Sequence, residues 1–171
     1  MIEIIPNLHP AIVHFPIAFT IAAVVFITIG TLLRGRPSAA QCLITGRWML
    51  WGATLFAFIA AAFGWIAFNS VAHDEVSHAA MKVHRNWALV ALIALFLLTV
   101  WDMWRGRSGG NPSKVFLILL VAACLLVTST AWHGAELVYR YGLGVIDLPD
   151  AHSEQNSVPH DAAEHGHNHT H

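Results

Sequence analysis

The chain has 171 residues, of which 56% are hydrophobic and only 11% charged, and its mean hydropathy is +0.58. A soluble domain carries roughly a quarter charged residues, so this composition reads as a membrane protein. A net charge of −1, with no Lys/Arg run, gives no electrostatic case for nucleic acid or for a polybasic lipid-binding patch.

The N-terminal Met1-Ile-Glu-Ile-Ile-Pro lacks the basic region and cleavage site of a secretory signal, so the first apolar stretch is expected to be retained as a span. That run is Ala11 to Leu33. The second is Trp48 to Phe68, the third Val83 to Trp104, and the fourth Val115 to about His133, extending over 115–135 with its flank. Each run, about 18 to 23 residues, has the length a bilayer core requires. In lipid such runs must be helical, because an unpaired backbone group there costs several kcal/mol. Short connections make successive helices antiparallel. The expected fold is therefore all-α: a polytopic membrane protein whose four transmembrane helices form an up-down antiparallel bundle over residues 1–146. From Asp147 the chain becomes polar and poor in large apolar residues, so 147–171 is expected to be a disordered, His-rich tail.

Charge placement orients the bundle. Arg34, Arg36 and Arg47 follow the first run, and Arg105, Arg107 and Lys114 follow the third. The positive-inside rule makes both connections cytoplasmic, which puts both termini and the 69–83 connection on the periplasmic or outer side. The seven tryptophans fall near span ends, as interfacial anchors should. Gly52, Ala53, Ala57, Ala60, Ala61, Ala62 and Gly64 make the second helix rich in small residues, which permits close helix approach.

That topology sends His9, His14, His73, His78, His84 and His133 to a single membrane face. Helix 1 opens as Leu8-His9-Pro10-Ala11-Ile12-Val13-His14-Phe15-Pro16. Pro10 suits a first-turn position, whereas Pro16 removes a helical hydrogen bond and should kink the helix beside His14. Asn7, Ala11, His14 and Ala18 share a face, and so do Ser77, Met81, His84 and Ala88. A thioether one turn from an imidazole suits copper or haem iron better than zinc, although Met81 also reads as packing. Arg85 could pair with a haem propionate or with Asp74 or Glu75. Glu136 could pair with Arg140 on the surface or orient His133. The alternating His165, His167, His169 and His171 of the tail could bind Cu or Zn loosely, or simply solubilise.

No Asp, Glu, Lys or Arg lies in the middle of a span, which disfavours transport. Cys42 and Cys124 form neither CxxC nor CxxCH, so the sequence holds no thioredoxin-like motif and no covalent c-type haem site. GxGxxG, a P-loop, GxSxG and HExxH are also missing, and nothing points to a catalytic residue.

At LHPAIVHFPIAF (Leu8–Phe19), His84-Arg85 and HGAELVYRYGLGV (His133–Val145) the chain resembles the Domain of Unknown Function 2231 family, bacterial membrane proteins of four helices. The resemblance covers about residues 5–147. On this chain its motif positions are His9, His14, Pro16, His84, Arg85, Gly142 and Gly144. Members joined to cytochrome-c-type domains imply a redox setting. The expectation is then a b-type haem or metal centre ligated by His14 and His84, serving electron transfer beside cytochromes or a respiratory complex. His133, Met81 and His73 stand as further ligands. The alternatives are metal handling that begins at the tail, and a non-catalytic structural subunit of a membrane complex.

Overall fold

The computed structural model describes residues 8–70, 75–106 and 111–143. Its helices are α1 (His9–Ile12), α2 (His14–Leu32), α3 (Pro37–Ser70), α4 (Glu75–Gly106) and α5 (Lys114–Tyr139). α1 and α2 make one span, interrupted at Val13, so four stretches are long and apolar enough to cross a membrane: His9–Leu32, Pro37–Ser70, Glu75–Arg105 and Lys114–Tyr139. The α2 span packs on α3 and α5, and α4 packs on those same two helices from the opposite corner. The spans therefore form a ring in chain order, an all-α up-down antiparallel bundle.

The interruption in the first span has a sequence cause. Pro16 has no N–H to offer the Ile12 carbonyl, and its ring crowds that carbonyl. The helix gives way between Ile12 and His14, and Pro16 itself is buried. Pro10 occupies the first turn of α1. The Thr20 hydroxyl returns a hydrogen bond to the Pro16 carbonyl at 2.6 Å.

The helices outrun the apolar runs that mark them. α3 has 34 residues and starts at Pro37 rather than near Trp48. At 1.5 Å per residue that is roughly 50 Å, against a hydrocarbon core of about 30 Å. Hydropathy registers only lipid contact, whereas the helix continues wherever a neighbour packs beside it. Ala39 and Gly46 are buried on this extension. A Cβ on Gly46 would fall 2.5 Å from Ile27 Cγ1, and one on Gly30 would fall 2.8 Å from Leu43 Cγ. These two glycines set the closeness of the α2–α3 hairpin.

Ala23, Ile27, Leu50, Ala91, Leu95, Leu98, Phe116, Leu120, Ala123 and Val127 form the core. Two threonines inside it satisfy each other. The Thr54 and Thr99 hydroxyls lie 2.7 Å apart, and the Leu50 and Leu95 carbonyls lie within 3.2 Å of Thr54 Oγ1.

One charged group among the described residues is buried near the end of the third apolar run. Asp102 is 7% exposed. Its carboxylate accepts from Arg47 Nε at 3.0 and 3.1 Å and from the Trp51 indole N–H at 3.0 Å, and Arg47 Nη2 donates to the Asp102 carbonyl. Trp51 is thus a hydrogen-bond donor inside the bundle rather than an interfacial anchor. Trp48, Trp65, Trp87, Trp104 and Trp132 are the exposed ones.

α5 is closed at both ends by its own residues. The Ser113 hydroxyl accepts from the Phe116 N–H. Beyond Arg140, Gly142 takes φ +63°, and the N–H groups of Gly142 and Leu143 return to the Val138 and Leu137 carbonyls. A positive φ favours glycine over any side chain, which accounts for Gly142 at this position.

Candidate functional site

At the end of the bundle away from Arg34, Arg47 and Arg105, two histidines from opposite corners meet. His9 opens α1 and His84 lies between the second and third turns of α4. Their ring centres are 6.2 Å apart and their planes are nearly perpendicular, at 82°.

Each ring is held the same way by the following helix of its own hairpin. His9 Nδ1 lies 2.9 Å from the Ala60 carbonyl oxygen on α3, and His84 Nδ1 lies 3.1 Å from the Thr130 carbonyl oxygen on α5. A carbonyl can only accept, so Nδ1 carries the proton in both rings. In a neutral imidazole the lone pair is then on Nε2. Four residues beyond each carbonyl stands a glycine, Gly64 after Ala60 and Gly134 after Thr130. A Cβ on Gly64 would come within 2.9 Å of the His9 ring, and one on Gly134 within 3.1 Å of the His84 ring. Ordinary side chains there would push the imidazoles off their carbonyls. The first and second hairpins thus carry one device twice: a histidine on the leading helix, with a carbonyl and a glycine one turn apart on the returning helix.

Of the expected ligands, the structure brings His84 together with His9 rather than with His14. The interruption at Val13 separates the face of the first turn from that of α2. His14 is exposed, and among the described residues it makes no ring contact and no side-chain hydrogen bond. Met81 is buried one turn before His84, on the inward face it shares with Ser77, where its thioether fills space. Arg85 places its guanidinium over the Phe68 ring at 5.2 Å, and His78 packs on that same ring. His133 packs against Trp87 at 5.7 Å with the rings tilted by 49° and lies 3.9 Å from Glu136, whose other oxygen pairs with Arg140 at 2.7 Å. Glu136 therefore pairs with Arg140, and His133 lies beside its other oxygen beyond hydrogen-bond distance. His73 and the tail histidines His165, His167, His169 and His171 lie outside the described residues.

Among the described residues no group of three or more His, Cys, Asp or Glu side chains converges as a metal site would require. The pair that does come together, His9 with His84, consists of two imidazoles.

Four residues were missed in the sequence as parts of a site. Gly64 read only as helix packing, Gly134 was not singled out, and Ala60 and Thr130 act through their backbones. The available signal was a glycine near the end of the returning helix in each hairpin, at the depth of the leading helix's histidine.

Neither curated proteins nor solved structures give a match to this chain. Residues 5–147 match the family described as predicted membrane protein (DUF2231), and the chain belongs to that family.

Proposed function

We propose that His9 and His84 are the axial ligands of a b-type haem at the periplasmic face of a bacterial cytoplasmic membrane, and that the protein serves electron transfer. The observation that carries this reading is the pair itself: two imidazoles from opposite corners, 6.2 Å apart, each fixed through Nδ1 by a helix carbonyl. Metal-bound histidines characteristically donate their second ring nitrogen to a carbonyl or carboxylate, which sets the tautomer and aims Nε2. A ring-centre separation of this order would allow His9 and His84 to hold one metal-containing group between them through their Nε2 atoms.

The donor set favours haem over a bare ion. A structural zinc site takes four protein ligands and a catalytic one three, whereas a porphyrin supplies four nitrogens and needs two axial partners. Gly64 and Gly134 let the two rings lie against the backbones of α3 and α5, where a Cβ would collide with them. Haem held in this way passes single electrons. The protein's part is to fix both rings and to exclude water with the surrounding apolar helices. Arg34, Arg36, Arg47 and Arg105 at the opposite end support the outward orientation of the pair.

The test is haem reconstitution of the detergent-purified chain, followed by optical titration. One haem per chain with a low-spin Soret band is expected. Absence of binding by wild-type protein would leave the two histidines as polar staples between helices.

A further inference from the structure

Next to the histidine pair, the beginning of α4 and the end of α5 line a second feature, a half-open cavity of about 350 Å³. One wall is apolar and made of small side chains, Val76, Ala79, Ala80 and Val83 on α4. The other carries His133 and Glu136 of α5, with Tyr141 beyond the helix end. Val83 and His133 immediately precede His84 and Gly134 in the chain, so the cavity borders the contact that holds the His84 ring.

The polar wall is organised. Arg140 fixes one oxygen of Glu136 at 2.7 Å, which leaves the other directed toward His133 Nδ1 at 3.9 Å. Trp87 backs the imidazole at 5.7 Å. An occupant must lay an apolar surface along Val and Ala side chains while meeting a hydrogen-bonding edge of imidazole and carboxylate. An anionic lipid head group would bring its charge against Glu136. A sugar would leave its hydroxyls against the apolar wall without partners. A lipid-soluble quinone satisfies both walls. Its ring is flat and apolar, its carbonyl accepts from an imidazole N–H, and the hydroxyl of its reduced form donates to an imidazole nitrogen or a carboxylate. The volume lies within the range of small-molecule pockets, which pair mostly apolar lining with a few placed polar groups.

We propose that this cavity binds the head group of a membrane quinone, with His133 as its hydrogen-bond partner. The proposal deepens the electron-transfer reading by naming the class of redox carrier, but binding itself requires no haem. The test uses a photoreactive azidoquinone on the full-length protein in detergent, with decylubiquinone as competitor and labelled peptides mapped by mass spectrometry. Saturable labelling of 76–83 and 133–141, lost on competition, is expected. His133→Ala should weaken competition about tenfold, the loss of one hydrogen bond near 1.4 kcal/mol. Ala80→Phe, which fills the cavity without touching the polar wall, should abolish labelling. Labelling that resists competition, or that persists in Ala80→Phe, overturns the proposal. Specific labelling of protein that takes up no haem would sink the haem reading and leave this one standing.

Discussion

The imidazoles of His9 and His84 stand across the diagonal of the bundle with their planes at 82°, each tied to a carbonyl of the next helix in its own hairpin. Helices at opposite corners of a bundle have no backbone contact, so a side-chain pair spanning the diagonal links the two hairpins at this end. The arrangement depends on six residues in two matched sets, His9, Ala60 and Gly64 and then His84, Thr130 and Gly134, and each set can be perturbed alone.

Gly64→Ala and Gly134→Ala test the cradles. The new methyl would sit 2.9 Å from the His9 ring or 3.1 Å from the His84 ring, so the imidazole must shift. Overpacking of this kind costs typically 1–3 kcal/mol, which thermal unfolding in detergent would register. Haem affinity should fall in both variants. Gly52→Ala is the control, since its Cβ would meet Phe19 at 3.1 Å and no histidine. Equal haem affinity in all three variants would argue against the cradle.

The ion pair at the other end predicts an asymmetry. Removing one partner of a buried pair costs about 3–5 kcal/mol when it strands a buried charge. Arg47→Ala strands Asp102, which is buried, whereas Asp102→Asn strands an arginine that is partly exposed and can extend toward the interface. Arg47→Ala should therefore lower thermal stability more than Asp102→Asn, and the double variant should recover part of the loss. Equal single effects that add in the double variant would contradict the pairing.

Gly142→Ala should cost about 1–2 kcal/mol, because φ +63° forces a Cβ toward the following carbonyl. The effect should be confined to the end of α5. Hydrogen exchange at Val138 to Arg140 should rise while exchange in the core around Leu120 stays unchanged.

The bundle was readable from four apolar runs because a bilayer demands helices of a set length, and short connections force antiparallel order. The convergence of histidines at one end was readable for the same reason. Which histidine faces His84 was not. The grouping of Asn7, Ala11, His14 and Ala18 assumes an unbroken helix, and Pro16 interrupts it at Val13. Pro16 was itself visible as a kink, yet a kink does not say how far the preceding turn rotates. The carbonyls of Ala60 and Thr130 were invisible because every residue has one. Arg47 and Asp102 could have been paired, since antiparallel neighbours bring the start of the second apolar run level with the end of the third. Each residue was instead taken only as a boundary marker.

The most direct test of the central claim is low-temperature EPR of the oxidised, haem-reconstituted protein, in wild type and in His9→Ala, His84→Ala and His14→Ala. Two imidazole planes at 82° impose a strongly anisotropic low-spin ferric signal. The account predicts that signal in wild type and in His14→Ala, and its loss in His9→Ala and His84→Ala. An unchanged signal in His9→Ala, or its loss in His14→Ala, would contradict it.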